Sequence, residues 1–235
     1  MFNNVMFFAA ILFFLGSVIL MYKAFGKTGL YVFTAFGTLL ANIQVCKCID
    51  LFGFSTTAGN ALYAATFLVT DILSEKYGKK SAQKAVYLGL SVTLLWIIST
   101  QGTLHLIPNA SDYIDPALQQ VFGLVPRIAL SSFVGYAVSQ SMDVALYHLI
   151  WKKSGGDRRF LWLRNNGSTC ISQLIDTVVF TTLAFWGTYP PGVFISILVT
   201  TYVFKVIVAL ADTPFMYLAR NIRPIGETNE EGDRV

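Results

Sequence analysis

The chain has 235 residues, of which 54% are hydrophobic and only 13% are charged, and its mean hydropathy is +0.59. Soluble globular domains carry about 25% charged residues, so this composition predicts an integral membrane protein and excludes a soluble globular one. The net charge of +4 is spread over the predicted loops, which indicates membrane topology and not a nucleic-acid-binding patch.

Apolar segments recur along the whole chain, and a helix that crosses a membrane needs about 20 such residues. The first has neither a basic leader nor a small-residue cleavage motif, so we expect a retained helix and not a signal peptide. The predicted segments, in chain order, are 4–22, 29–49, 58–74, 85–106, 125–150, 168–188 and 193–219. The predicted fold is an all-α integral membrane bundle of six to seven transmembrane helices. It forms one domain over residues 1–224, and the polar cytoplasmic tail 225–235 is expected to be disordered.

The basic residues predict how the chain is oriented. All of the 17 except Lys47, Arg127 and Lys205 follow the first, third, fifth or seventh segment. Cytoplasmic loops of membrane proteins carry the excess of Lys and Arg. We therefore expect the N-terminus to lie outside the cell and the C-terminus to lie inside it, in the cytoplasm. The expected location is the plasma membrane, which is the inner membrane of a prokaryote.

The sequence contains no recognisable cofactor, metal or nucleotide motif. Cys46, Cys48 and Cys170 lie in or beside apolar runs and are interpreted as small packing residues. His105 and His148 fall at helix ends, where interfacial histidines are expected. Because no metal-ligand spacing, phosphate loop or nucleophile elbow occurs, we predict no cofactor, no metal and no catalytic residue.

Polar side chains lie inside three of the predicted segments, and at about 100° per residue each set falls on one helix face. The stripe on the fifth segment comprises Ser132, Tyr136, Ser139, Gln140, Asp143 and Tyr147. The stripe on the sixth comprises Asn165, Asn166, Thr169, Gln173, Asp176 and Phe180, and that on the seventh Thr201, Lys205 and Asp212. Such stripes avoid lipid, so we expect them to surround a cavity. Lys205 needs a counter-charge, for which Asp176 is the first choice and Asp212 the alternative.

Two carboxylates, Asp71 and Glu75, lie one helical turn apart at the inner end of the third segment. Glu75 precedes Lys79 by four residues and is interpreted as an exposed or paired cap of little energetic weight. Asp71 lies a turn deeper, and we expect it to meet a donor from another helix. The candidates for gating or proton coupling are Asp71, Glu75, Asp212 and Arg127, the last at the outer end of the fifth segment.

Five stretches of the chain, taken in order, resemble the queuosine precursor transporter family of vitamin-uptake-like membrane transporters. They are NIQVCKCIDLFGF (42–54), TFLVTDILSEKYGKK (66–80), SSFVGYAVSQSMDVALYHLIW (131–151), LRNNGSTCISQLIDTVVF (163–180) and YVFKVIVAL (202–210). The resemblance implies import of a 7-deazaguanine, namely the cyano or aminomethyl precursor base or queuine, for salvage into modified tRNA. It also implies a bundle of six helices, from which the additional apolar segment 4–22 departs.

A 7-deazaguanine presents an N–H and an NH₂ group side by side, and one carboxylate can accept both hydrogen bonds. Asp143 or Asp176 is the candidate for that edge. The carbonyl edge needs a donor, and the candidates are Asn42, Gln44, Gln173 and Lys205, with Gln140 as a further substrate-binding candidate. The flat face of the base favours an aromatic ring. The candidates for stacking are Tyr136, Phe180 and Tyr63.

Three functions stay open on the sequence alone. A secondary transporter, with proton coupling as an option, needs only this chain and its base. A substrate-binding subunit of a multi-component importer needs an energising module as a partner, because the chain has no ATP-binding motif. An intramembrane enzyme is disfavoured, since no nucleophile–base pair or metal-ligand set can be assembled. Besides the purine-like base and the lipid bilayer, a second copy of the chain is a candidate partner.

Overall fold

The computed structural model describes residues 2–44, 47–123, 125–154, 158–187 and 191–225, and these residues are mostly helical. The α-helices are α1 (Phe2–Gln44), α2 (Gly59–Tyr77), α3 (Lys79–Leu104), α4 (Asp115–Phe122), α5 (Val125–Ser154), α6 (Leu161–Phe185) and α7 (Pro191–Asn221). A single 3-10 turn, Arg158–Phe160, precedes α6, and a hairpin of β1 (Cys48–Leu51) and β2 (Phe54–Thr57) follows α1. The predicted helical membrane architecture is therefore confirmed, with the hairpin as an addition.

The long helix α1 consists of two antiparallel arms, residues 2–25 and 27–44, and is not one straight rod. Gly26 between them adopts φ 56° and ψ −137°, a conformation outside the helical region that glycine tolerates because it has no Cβ. A Cβ on Gly29 would lie 2.2 Å from the carbonyl oxygen of Met21. Residues eight apart in a straight helix are separated by about 12 Å, so the chain reverses at Gly26. The arms correspond to the first two predicted segments.

The β1–β2 hairpin replaces the end of the second predicted segment. Helix α1 ends at Gln44 and β1 begins at Cys48, so the prediction of a helix that continues to residue 49 is wrong. The cause is a two-residue turn: Phe52 and Gly53 have φ of 53° and 85°, as a type I′ hairpin turn requires. The backbone N–H of Phe52 donates to Asn4 Oδ1 at 3.3 Å, which holds the hairpin beside the start of α1.

The sixth helix is longer than the hydropathy pattern predicts. Helix α6 begins at Leu161 and not at residue 168, because Arg164, Asn165 and Asn166 are buried inside the bundle and continue the helix. These polar residues lower the mean hydropathy of the segment, so the hydropathy pattern did not reveal the first two turns of α6. Helix α4 lies in the predicted connection between the fourth and fifth segments and matches no predicted segment. The other helices agree with the predicted segments to within a few residues, apart from α3, which starts six residues before its predicted beginning at residue 85.

Large apolar side chains are exposed around the outside of the bundle, whereas much of its interior is polar. Within the described residues, α1, α3 and α6 are each long and apolar enough to cross a membrane. A fourth span qualifies if the bent pair α4 and α5 counts as one. An apolar exterior and several such helices are typical of a multi-pass membrane protein.

The basic residues of separate loops meet at one end of the bundle, which we call the basic end. Lys27, just after the reversal in α1, lies over the ring of Tyr77 at the end of α2, 5.3 Å from its centroid. Lys76 Nζ donates to the carbonyl oxygen of Arg220, near the end of α7, at 2.7 Å. The hairpin and α4 lie at the opposite end, beside the start of α1 and the end of α3.

Candidate functional site

Buried polar side chains form three clusters at successive levels of α6. They contain Asp176, then Ser172 with Asp143 of α5, and finally Arg164. Asp176 and Arg164 are twelve residues apart in the sequence, so they lie about 18 Å apart along the helix axis. Ser172 Oγ donates to Asp143 Oδ1 at 2.7 Å. The predicted meeting of the polar stripes of α5 and α6 is confirmed, since Ser139 Oγ donates to Asp176 Oδ1 at 3.3 Å.

The first cluster lines a cavity at the level of Asp176. The volume of the cavity is about 60 Å³, several times the minimum of about 10–15 Å³ that a single water molecule needs. Its lining residues are Thr38, Ala41, Asn42, Gly59, Asn60, Thr93, Ser132, Phe133, Tyr136, Asp176, Phe180 and Lys205. They come from six helices. Aromatic walls with a few converging polar groups are typical of a small-molecule site.

Asp176 of α6 and Lys205 of α7 form an ion pair in the wall of the cavity. Their side chains are only 4% and 5% exposed, so the predicted partner of Lys205 is confirmed. Ser139 Oγ donates to the other carboxylate oxygen of Asp176 at 3.3 Å. A ligand in the cavity thus meets a carboxylate and an ammonium group whose charges already balance each other.

The aromatic walls of the cavity are held by close helix packing. Tyr136 is buried, and a Cβ on Gly89 of α3 would lie 2.6 Å from its hydroxyl oxygen. A Cβ on Gly135 would lie 3.0 Å from Asp176 Oδ1 and 3.4 Å from Phe180 Cβ. Because neither glycine has a side chain, α3 and α6 approach α5 closely enough to fix the ring of Tyr136 and the carboxylate of Asp176.

The second cluster, which we call the acid pair, consists of Asp71 on α2 and Asp143 on α5. Both side chains are fully buried, and Asp143 accepts from Ser172 of α6. Thr169 of α6 donates to Asp71 Oδ2 at 3.5 Å, so the expectation that Asp71 meets a donor from another helix is confirmed. Within the described residues the acid pair lies outside the lining of the cavity.

Two glutamines lie between the cavity and the acid pair. Gln140 joins α5 to α2: its Oε1 accepts from Thr70 at 3.2 Å and its Nε2 donates to Thr66 at 3.4 Å. Gln173 is fully buried on the face of α6 between Asp176 and Thr169, and its amide atoms have no partner within the described residues. Neither glutamine lines the cavity.

The third cluster, which we call the arginine cluster, surrounds Glu75 near the basic end. Arg164 Nη2 lies 3.0 Å from both carboxylate oxygens, and Arg220 Nη1 lies 2.8 Å from Oε1. Tyr147 donates to Oε2 at 2.7 Å, and the guanidinium of Arg164 stacks 5.0 Å from the ring centroid of Trp151. The interpretation of Glu75 as an exposed cap is wrong, and its paired alternative holds with arginines of other helices as the partners. The side chain of Glu75 is 5% exposed, because donors from three other helices converge on it.

The structure brings part of the predicted substrate set together. The predicted residues that line the cavity are Asn42, Tyr136, Asp176, Phe180 and Lys205, whereas Gln44, Gln140, Asp143 and Gln173 do not. Arg127 is exposed at the end opposite the basic end, where it donates to the carbonyl oxygens of Leu183 and Trp186 at 3.1 and 3.0 Å. It caps the end of α6 and lies outside the three clusters. The side chains of Tyr63 and Asp212 lie outside the described part of the chain.

Two kinds of site residue were missed from the sequence. Thr38, Asn60 and Thr93 line the cavity as well. Thr38 lies four residues after Thr34 and four before Asn42 on one face of α1, a spacing that could have revealed it, whereas Asn60 and Thr93 are the only polar residues that α2 and α3 contribute to this lining. Arg164 was counted as a loop charge, although it precedes Ser168 by four residues on the polar face of α6. Extending that stripe by one turn would have placed Arg164 inside the bundle.

Helices with an apolar exterior around a partly polar interior that holds a small-molecule cavity are typical of a membrane transporter. Residues 57–219, more than half of the chain, match the family described as putative vitamin uptake transporter, and the chain belongs to that family. The predicted resemblance is thereby confirmed, because the curated relatives are named queuosine precursor transporters. A comparison with solved structures found no match.

Two of these relatives cover most of the chain. A probable queuosine precursor transporter of Bacillus subtilis (strain 168) is 45% identical over 229 residues, which is 97% of this chain and 99% of that protein. The queuosine precursor transporter of Escherichia coli (strain K12) is 29% identical over 182 residues, 75% of this chain and 78% of that protein. Because the first match leaves so little of this chain unaligned, it extends into the N-terminal apolar segment 4–22.

Proposed function

We propose that this chain imports a 7-deazaguanine precursor of queuosine across the plasma membrane as a secondary transporter coupled to the proton gradient. The observation that carries the proposal is the buried ion pair of Asp176 and Lys205 in an aromatic-walled cavity. Membership of a transporter family and the names of the relatives support the substrate class.

The cavity offers a complementary group to each edge of the base. The carboxylate of Asp176 accepts the adjacent N–H and NH₂ groups, as a carboxylate can accept two parallel donors. The ammonium of Lys205 and the amide of Asn42 or Asn60 supply donors to the carbonyl edge, and Phe180 or Tyr136 stacks on the ring face. Because the cyano base is neutral, the charge balance of the ion pair is unchanged when it binds.

We further propose seven spans, formed by the two arms of α1 and by α2, α3, α5, α6 and α7, with the N-terminus outside. The grouping of basic residues from separate loops at one end supports this orientation, because that end is expected to face the cytoplasm. The C-terminus of α7 is at the same end, near Lys76.

In this orientation the arginine cluster closes the inner end of the pathway. Glu75 ties α2 to α5, α6 and α7 through Tyr147, Arg164 and Arg220. Arg164 is fully enclosed, whereas the side chain of Arg220 is 28% exposed. Water can therefore replace Arg220 at lower cost than Arg164, so inward opening begins by separation of α7 from α2.

The test is uptake of radiolabelled cyano-7-deazaguanine into proteoliposomes that contain only this chain, with the external buffer made acidic. We expect accumulation that a proton ionophore abolishes and that Asp176→Asn loses. Asp112→Asn is the matched control, since Asp112 is an exposed loop residue whose capping bond to the Ile114 N–H an asparagine retains. Binding without uptake would instead favour the subunit of a multi-component importer, and absence of binding would refute the proposal.

A further inference from the structure

We propose that Gln173 of α6 provides a second binding site for the base, one helical turn inward of Asp176, which the base occupies between the cavity and the cytoplasm. The inference rests on the proposed transport function and adds a specific residue to the inner part of the pathway. The ligand class stays the same: a guanine-like base, in which a ring carbonyl lies next to a ring N–H group.

The amide of Gln173 differs from that of the other buried glutamine. Its side chain is fully buried, and neither Oε1 nor Nε2 has a hydrogen-bond partner within the described residues. Gln140 of α5 is buried to the same extent, yet its Oε1 accepts from Thr70 and its Nε2 donates to Thr66. Burial of an amide without partners costs free energy that an apolar side chain of similar size would not cost. Within the described part of the bundle the amide of Gln173 therefore stabilises nothing, and both of its atoms remain available to a ligand.

Gln173 faces the seam between α2 and α7. Thr169, four residues earlier on α6, donates to Asp71 of α2 at 3.5 Å. Asn166, seven residues earlier, exchanges two hydrogen bonds with Thr213 of α7, at 2.8 and 3.1 Å. At 100° per residue, Gln173 projects from α6 between these two contacts, about 40° from the first and about 20° from the second. It therefore points into the seam that opens first in the proposed inward movement.

Along α6, Gln173 is the first inward-facing polar residue past Asp176 toward the basic end. The two residues are three positions apart, which is about 4.5 Å along the helix axis. Opposite them, α7 continues from Lys205, the partner of Asp176, through residues 206–211, whose sequence is VIVALA. None of these side-chain types forms hydrogen bonds. A base that moves inward from Asp176 between α6 and α7 therefore meets the amide of Gln173 as its next polar group.

A primary amide is complementary to one edge of a guanine-like base. Its NH₂ group donates to the ring carbonyl oxygen while its carbonyl oxygen accepts from the neighbouring ring N–H, which gives two parallel hydrogen bonds. A carboxylate only accepts, so Asp176 takes the ring N–H together with the exocyclic NH₂ group. Because the ring N–H takes part in both arrangements, the base passes from Asp176 to Gln173 by exchanging one acceptor for another within a single helical turn.

The test compares stability, binding and transport in variants of the two buried glutamines. Gln173→Leu loses no hydrogen bond within the described residues, so its melting temperature in detergent should equal or exceed that of wild type. Its Kd for labelled cyano-7-deazaguanine should also stay unchanged, because Asp176 holds the base in the closed cavity. The initial rate of uptake into proteoliposomes at saturating base should fall at least about tenfold. Gln140→Leu is the matched control for stability, and its melting temperature should fall because Thr66 and Thr70 lose their partner.

Three results would overturn the inference. A melting temperature of Gln173→Leu as low as that of Gln140→Leu would show that the amide supports the fold. A wild-type uptake rate in Gln173→Leu would show that the base does not use the amide, and a raised Kd would place Gln173 in the same site as Asp176. Asp112→Asn should match wild type in every measurement. Wild type that shows no uptake would refute the proposed function instead.

Discussion

Glu75 on α2 and Arg164 on α6 form an ion pair that is almost completely enclosed, with Arg164 Nη2 equidistant, at 3.0 Å, from both carboxylate oxygens. The pair joins two helices that are far apart in the sequence at the end where the basic loops meet. A buried charge of this kind is tolerated only while its partner remains in place.

Removal of the charge of Glu75 should therefore destabilise the protein. In Glu75→Gln the fully buried Arg164 has no full counter-charge, and breaking a buried pair in this way costs about 3–5 kcal/mol. Thermal unfolding of the purified protein in detergent measures the effect, with Asp112→Asn as the exposed carboxylate control. Equal melting temperatures for the two variants would show that the arginine cluster does not hold the helices together.

The reversal in α1 predicts a position where alanine is not tolerated. Gly26 has φ 56° and ψ −137°, and a residue with a Cβ in such a conformation costs on the order of 1–3 kcal/mol. Gly26→Ala should lower the melting temperature. Gly16→Ala is the control in the same helix, because a Cβ there meets no atom within 4 Å and should leave stability unchanged or slightly raised. A Gly26→Ala variant as stable as Gly16→Ala would contradict the hairpin structure of α1.

A second glycine pair tests the cavity wall separately from the stability of the fold. In Gly89→Ala the new Cβ would lie 2.6 Å from the Tyr136 hydroxyl oxygen, so this cavity-lining ring must move. We expect the Kd for the base to rise about tenfold, a loss of about 1.4 kcal/mol. Gly102→Ala lies in the same helix α3 with no atom within 4 Å of its Cβ, and its Kd should equal that of wild type. Equal Kd values for the two variants would place the base elsewhere.

The ion pair also predicts a preference among the precursor bases. A positively charged aminomethyl group would enter a cavity in which Lys205 already neutralises Asp176, so it would meet the ammonium without a free carboxylate in compensation. The neutral cyano base should therefore compete against labelled substrate at least about tenfold better than the aminomethyl base. Stronger competition by the aminomethyl base would show that Asp176 leaves Lys205 to bind a cation.

Much of the fold can be predicted from local patterns in the sequence. The long apolar runs predict the helices, and helical spacing predicts that Asp176, Gln173 and Thr169 share a face, because both depend on neighbours in the sequence. The hairpin after α1 was missed, since Phe52 and Gly53 act through positive φ values, which hydropathy does not register. Local turn chemistry prevailed over hydropathy there.

The misplacement of Glu75 has a different cause. The sequence places Lys79 four residues after Glu75 and favours that local pairing, but α2 ends at Tyr77 and Lys79 begins α3. The actual partners, Arg164 and Arg220, come from helices about 90 and 145 residues further along the chain. Burial of the carboxylate follows from how the helices pack, and no local pattern contains that information.

The most direct test of the central claim is equilibrium binding of labelled cyano-7-deazaguanine to the purified wild-type protein and to Asp176→Asn and Asp112→Asn. If Asp176 accepts the donor edge of the base, wild type and Asp112→Asn bind with the same Kd. Asp176→Asn, whose amide accepts one hydrogen bond at most on that edge, then binds at least about tenfold more weakly. Wild-type affinity in an Asp176→Asn protein that remains folded would contradict the assignment of this cavity as the site that recognises the base.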